Sequence, residues 1–179
     1  MKLVGVSGSL IGSKTSKSVF EVLNAAKKIN PAIETELVDL KDYDVEFVRG
    51  IPLPSYNGDT VTVVNKILTA DLLVFGTPIY QASISGALKN LLDHIPTDSF
   101  KSKVTAIVST GGSDKHFLVA EYHLKPILSF LKGVVPNGSV FVQNAAFNED
   151  NEISDPDVLS RIKLLSEEML VMQKSISSR

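Results

Sequence analysis

Residues 5–20 read GVSGSLIGSKTSKSVF. An apolar run, Leu3, Val4 and Val6, leads into Gly8 and Gly12 set among Ser7, Ser9, Ser13, Thr15, Ser16 and Ser18, and a helical pattern follows. A strand that passes through a Gly/Ser/Thr loop into a helix is the first half of a βαβ unit. The rest of the chain repeats the alternation. Strands are expected at Lys2–Ser7, Thr35–Leu40, Asp71–Thr77, Lys103–Thr110 and Gly138–Gln143. Helical patterns fall near Ser16–Ile29, Asp59–Thr69, from Ser83 or Ser85 to Ile95, Asp114–Lys132 and Asp155–Met172. Pro126 lies inside the fourth pattern, where its missing donor predicts a kink or a division. Between strand 2 and helix 2, RGIPLPSYNGD (residues 49–59) reads as a loop with an Asn-Gly turn signal. Five strands with interleaved helices predict one α/β domain over residues 1–179. Its expected form is a doubly wound, five-stranded parallel sheet of flavodoxin-like order 2-1-3-4-5, with helices on both faces.

Composition narrows the functions such a sheet could carry. Apolar residues make up 44% and charged residues 21% of 179, enough for one buried core and unlike a disordered chain. A net charge of −2 without a basic block gives nucleic acid no electrostatic footing. The absence of cysteine excludes disulfides, thiolate nucleophiles and Cys-ligated metals. The first residues read directly as a strand and no apolar run approaches a membrane span, so a cytoplasmic protein without a membrane partner is expected. His116 and His123 are seven apart, His94 sits at another helix end, and no carboxylate cluster joins them, so no metal site is expected. Lys89 and Asp93, four apart, read as a solvated pair.

In a doubly wound sheet, ligands sit outside the carboxyl ends of the strands, near the point where the strand order reverses. Three exits are chemically unusual: the opening loop, GTPIYQASISG (76–86) after strand 3, and STGGSDKH (109–116) after strand 4. The order 2-1-3-4-5 makes strands 1, 3 and 4 neighbours, so the three loops are expected to line one crevice. Three phosphate-binding patterns compete for the opening loop. Gly5, Gly8 and Gly12 have the wrong spacing for the dinucleotide fingerprint. A Walker A reading from Gly8 to Ser13-Lys14-Thr15 puts serine where the second glycine belongs, and no later strand ends in an aspartate suited to Mg²⁺. A hydroxyl-rich cradle for one monophosphate needs only converging donors, which Ser9, Ser13, Thr15 and Ser16 supply, with charge from Lys14. A Ser-capped flexible loop without a ligand is the plain alternative.

GTPIYQASISGALKNLLDHIP (76–96) resembles the signature of the NADPH-dependent FMN reductases, T-P-x-Y followed by S-G-x-L-K-N-x-L-D. STGGSDKHFLVAEYHLKPIL (109–128) is similar to the matching segment of the alkanesulfonate-linked branch, and PLPSYNGD (52–59) resembles the loop before helix 2 in the wider family. The resemblance implies an NAD(P)H-dependent reductase of FMN, cofactors FMN and NADPH, and supply of reduced flavin to a partner monooxygenase. It implies that Ser9, Ser13, Lys14, Thr15 and Ser16 hold the phosphate. It implies further that Thr77, Pro78, Ile79, Tyr80 and Gln81 pass along the isoalloxazine, and that Thr110, Gly111, Gly112 and Ser113 contact it from the other side. Tyr80 as a half-buried core residue and Gly111-Gly112 as a tight turn stay open as plain alternatives. Leu10 and Ile11 stand where the family often has an arginine, which implies weak flavin binding of the kind that suits a flavin substrate. No catalytic side chain is expected, because hydride passes directly between the two cofactors. The stretch 116–131 is apolar on nearly every side, which predicts cover by another subunit or by the final helix. Family members resembling this chain are dimers or tetramers, with a tyrosine at the position of Tyr122 in a π-helical bulge at the tetramer interface. A flavin-bound quinone or azo reductase, an electron-carrier flavodoxin and a flavin-free module are the competing readings.

Overall fold

A computed structural model describes residues 1–178. Five parallel strands, β1 (Lys2–Ser7), β2 (Glu34–Asp39), β3 (Leu72–Pro78), β4 (Val104–Gly111) and β5 (Val140–Gln143), form one sheet in the order β2-β1-β3-β4-β5. The chain leaves β1 toward β2, then returns to place β3 on the other side of β1. The strand order therefore reverses between β1 and β3, at the exit of the opening loop.

Alternation along the strands divides the core in two. Leu3, Val74, Val104, Ala106 and Val108 face α1 (Lys14–Ile29) and α5 (Pro156–Ser177), which pack on each other through Val22, Ala26, Leu165 and Met169. Val4, Val6, Leu73, Phe75 and Ile107 face α2 (Gly58–Leu68), α3 (Gly86–Asp93) and α4 (Lys125–Phe130). The central strands are buried on both faces, which explains why they read as continuous apolar runs. Helix α1 lies unusually close to the sheet. A Cβ on Gly76 would stand 2.3 Å from Val19 Cγ2, and one on Gly5 would stand 2.5 Å from Val19 Cγ1. Only glycine leaves room for that approach, which brings the start of α1 to the switch point.

One expectation needs correction and another is borne out. The Asn-Gly pair is no reverse turn: Asn57 caps α2, its Oδ1 accepting from the Thr60 N–H at 2.8 Å. Asp114–Lys132 is divided next to Pro126, as the proline predicts, and Tyr122 stands in a π turn, as the resemblance implies. The segment comprises a 3₁₀ turn (Asp114–His116), a π turn (Ala120–Leu124) and α4. Pro126 sits in the first turn of α4, where its missing N–H costs nothing. A proline there also clashes with the carbonyl four residues earlier in a regular helix, and the wider π turn before it relieves that clash. The stretch turns Ala120, Leu124 and Leu128 inward and leaves Tyr122 68% and Phe130 67% exposed. Helix α5 lies in the opposite layer and does not cover them.

Candidate active site

The helix starts separate one place in the molecule from the rest. Ser85 caps α3 by accepting from Leu88 N–H at 3.1 Å, and Asp155 caps α5 by accepting from Asp157 and Val158 N–H groups. Ser13 begins α1 with no side-chain cap among the described residues, no acid in the first turn, and Lys14 as its first residue. A helix start with free N–H groups and a neighbouring cation is a donor set for an anion.

That start opens into a cleft of about 410 Å³ at the carboxyl ends of the strands. Ser9, Ser13, Lys14 and Thr15 form one wall, Pro78, Ile79 and Tyr80 a second, and Thr110, Gly111 and Gly112 a third. The three loops therefore meet as the strand order predicts. Hydrogen bonds lock them to one another. The Thr15 and Thr110 hydroxyls lie 2.8 Å apart and are buried, the Ile79 N–H donates to Thr110 O at 2.8 Å, and the Gly8 N–H donates to Gly76 O at 2.8 Å.

Four of the expected residues do not line the cleft. The Ser16 hydroxyl donates to Ser13 O at 3.0 Å, a local bond to its own helix turn. Thr77 is fully buried on the α3 side, donating to Pro78 O and accepting from the Ser85 N–H, each at 3.0 Å. Ser85 Oγ in turn donates to Gly8 O at 2.6 Å, so Thr77 and Ser85 tie the second loop to the first. Gln81 and Ala82 form the tip of a two-residue turn, with φ of 48° and 58°, closed by paired backbone bonds between Tyr80 and Ser83. Ser113 caps the 3₁₀ turn after the glycine pair. Ser9 lines the cleft, but its hydroxyl donates to Ile11 O at 2.7 Å and so shapes the loop. A Cβ on Gly111 would meet the Phe141 ring at 3.2 Å, so that glycine makes room for β5. Tyr80 lies on the rim, 45% exposed, rather than in the core.

Ile11, Gly12, Asn144 and Asn151 complete the lining and escaped the sequence reading. The two asparagines come from the exit of β5, QNAAFNEDN (143–151), next to β4 in the sheet. Asn148 Oδ1 accepts from the Asp150 and Glu152 N–H groups, and a Lys17–Glu152 ion pair pulls this loop against α1. Phe147 follows, with Lys14 Nζ 5.2 Å above its ring. The rule that picked the exits of β1, β3 and β4 applies equally to β5, and the asparagine-rich exit was the available signal.

A cleft lined both by uncapped donors and by apolar Ile11, Ile79 and Tyr80 fits a flat ligand with an anionic tail. A family model described as NADPH-dependent FMN reductase matches residues 1–147. An NAD(P)H-dependent FAD/FMN reductase of Geobacillus thermodenitrificans is 47% identical over 178 residues, covering 99% of this chain and 96% of that protein. The NADH-dependent FMN reductase SfnE of Pseudomonas putida is 37% identical over 171 residues, covering 93% of this chain and 89% of that one. The solved apo structure of an NADH:FMN oxidoreductase superposes with a TM-score of 0.80 at 26% identity, covering 99% of this chain and 91% of that chain. No helix among the described residues is long and apolar enough to cross a membrane. From its flavodoxin-like sheet, its cleft and these relatives, the chain belongs to the NADPH-dependent FMN reductase family and is an oxidoreductase.

Proposed function

We propose that the chain works as one cytoplasmic flavodoxin-like domain that reduces FMN with NAD(P)H and releases the reduced flavin to a partner monooxygenase. The observation that carries the assignment of residues is the uncapped start of α1 inside a cleft walled by three locked loops. Bound FMN supplies the ring that accepts hydride from the nicotinamide. The chain's part is to bind, orient and shield. The first-turn N–H groups of α1, the Ser13 hydroxyl and Lys14 hold the phosphate. Thr15 and Thr110, bonded to each other, hold the phosphate and ring walls at a fixed separation. Pro78, Ile79 and Tyr80 form the wall along one side of the ring, and Gly111 and Gly112 border the other. Ile11 and Tyr80 at the rim exclude water from the reacting atoms. Asn144 and Asn151 offer amide groups to the ribityl hydroxyls.

Where the family often places an arginine, Leu10 and Ile11 stand exposed at the mouth of the cleft. That supports a flavin held loosely enough to leave. Tyr122 and Phe130, apolar and uncovered within one chain, support a homodimer or homotetramer built through the π turn and α4.

The test follows nicotinamide absorbance with purified protein, NADPH or NADH, and added FMN. Oxidation that rises with FMN and saturates is expected. Turnover that needs a quinone and ignores added FMN would instead indicate a flavin-retaining reductase, and a flavin-binding protein inert toward both nicotinamides would indicate a carrier.

A further inference from the structure

The turn that carries Tyr80 is strained and is held from outside by one side chain. Gln81 and Ala82 both occupy the left-handed region, at φ 48° and 58°, where an L-residue other than glycine is disfavoured. Such a conformation persists only where the surroundings impose it. Behind the turn, Ser85 is anchored to Gly8 and Thr77. At the turn itself, among the described residues, the side-chain bond from another element is Ser83 Oγ to His123 Nδ1, at 3.0 Å. Ser83 is the backbone partner of Tyr80, each N–H donating to the other's carbonyl at 3.0 Å. His123 lies in the π turn, beside the outward-facing Tyr122.

We infer that His123 is a positioning residue for flavin: through Ser83 it holds the 80–83 turn in its strained form, and so fixes the Tyr80 wall of the cleft. The inference rests on the flavin reading above. It also makes the π turn a direct mechanical neighbour of the cofactor wall, with one hydrogen bond between them. Either imidazole tautomer can make the contact, since a serine hydroxyl both donates and accepts.

The experiment measures flavin fluorescence quenching by the full chain, then KM for FMN and kcat. Losing one partly exposed bond that restrains the wall predicts that His123→Ala raises the FMN Kd and KM about 3- to 10-fold, with kcat at saturating FMN within about twofold. Riboflavin, which lacks the phosphate, should lose affinity by the same factor, because the wall touches the ring. Ser83→Ala should reproduce the effect, the double variant should add nothing further, and His123→Asn, whose amide can still reach the hydroxyl, should recover most of it. His123 is exposed on the single chain, so these variants should keep its secondary structure by circular dichroism, with the assembly state checked on the same samples. An unchanged Kd in His123→Ala, or effects of the two single variants that simply add, would overturn the inference while leaving the flavin reading intact. No quenching with the unsubstituted chain would overturn both.

Discussion

Helices α1 and α3 both begin beside the cleft, and they begin in opposite ways. At α3 the Ser85 hydroxyl accepts from Leu88 N–H and donates to Gly8 O, so both of its hydrogen-bonding roles are used within the protein. At α1 the Ser13 hydroxyl caps nothing, and Lys14 stands where an acidic residue would ordinarily complement the helix dipole. One start is finished by folding and the other, in the proposed reading, by a ligand. The difference teaches where to look for binding in a fold with many helix starts: at a start that lacks a side-chain cap and also opens into a cleft.

The strongest way to break the contrast is to supply the missing group. Ser13→Asp places a carboxylate on the N–H groups proposed to hold phosphate, and should weaken FMN binding by about 100-fold or more through competition and charge repulsion. The same change should stabilise the ligand-free protein by about 1 kcal/mol, because it completes a cap. Flavin titration and a thermal melt on one sample check both signs. Unchanged affinity would move the phosphate elsewhere.

The converse substitution comes next. Ser85→Ala leaves the buried Leu88 N–H and Gly8 carbonyl without their partner and should cost about 2 kcal/mol, seen as a lower urea midpoint at unchanged slope. A smaller effect is expected for Lys14→Ala, a charge at an open cleft. FMN affinity should fall about 3-fold, and its dependence on salt should flatten.

The smallest effect serves as a control at a distance from the cleft. Glu36 on β2 pairs with Lys2 at 2.7 Å and with Lys66 at 2.8 Å. Hydrogen bonds from Lys2 and Lys66 lower its carboxyl below the ordinary 4.5. A lowered folded-state pKa means the pairs stabilise the protein above the unfolded value, and that contribution is lost as pH falls through the folded one. Glu36→Gln should therefore cost less than about 1 kcal/mol at neutral pH, nothing in strong acid, and nothing in FMN affinity at any pH.

Much of the site was legible before the fold. The Gly/Ser loop, the T-P-I-Y segment and the T-G-G segment announced themselves through residue types unusual for strand exits, and the strand order brought them together. Hydroxyls were harder to read. Ser16, Thr77 and Ser9 look like Ser13 in the sequence, yet their protons are committed to Ser13 O, Pro78 O and Ile11 O. A hydroxyl's partner depends on which carbonyl lies within about 3 Å, and spacing along the chain does not report that. Asn144 and Asn151 were missed although β5 exits beside β4; the Lys17–Glu152 pair and an asparagine turn then hold their loop at the cleft. The Asn-Gly pair misled because asparagine serves turns and helix caps through the same side-chain acceptor.

Local pattern by itself determined the alternation of strands and helices, the doubly wound sheet and the three loops at its carboxyl edge, because hydrophobic period and backbone punctuation are properties of neighbours in the chain. Tertiary structure alone decided which hydroxyls stay free and that His123 meets Ser83. His123 and Ser83 lie 40 residues apart and only packing brings them together; Ser9, Ser16 and Thr77 bond to carbonyls close in the chain, but which carbonyl each reaches follows from loop conformations that packing sets.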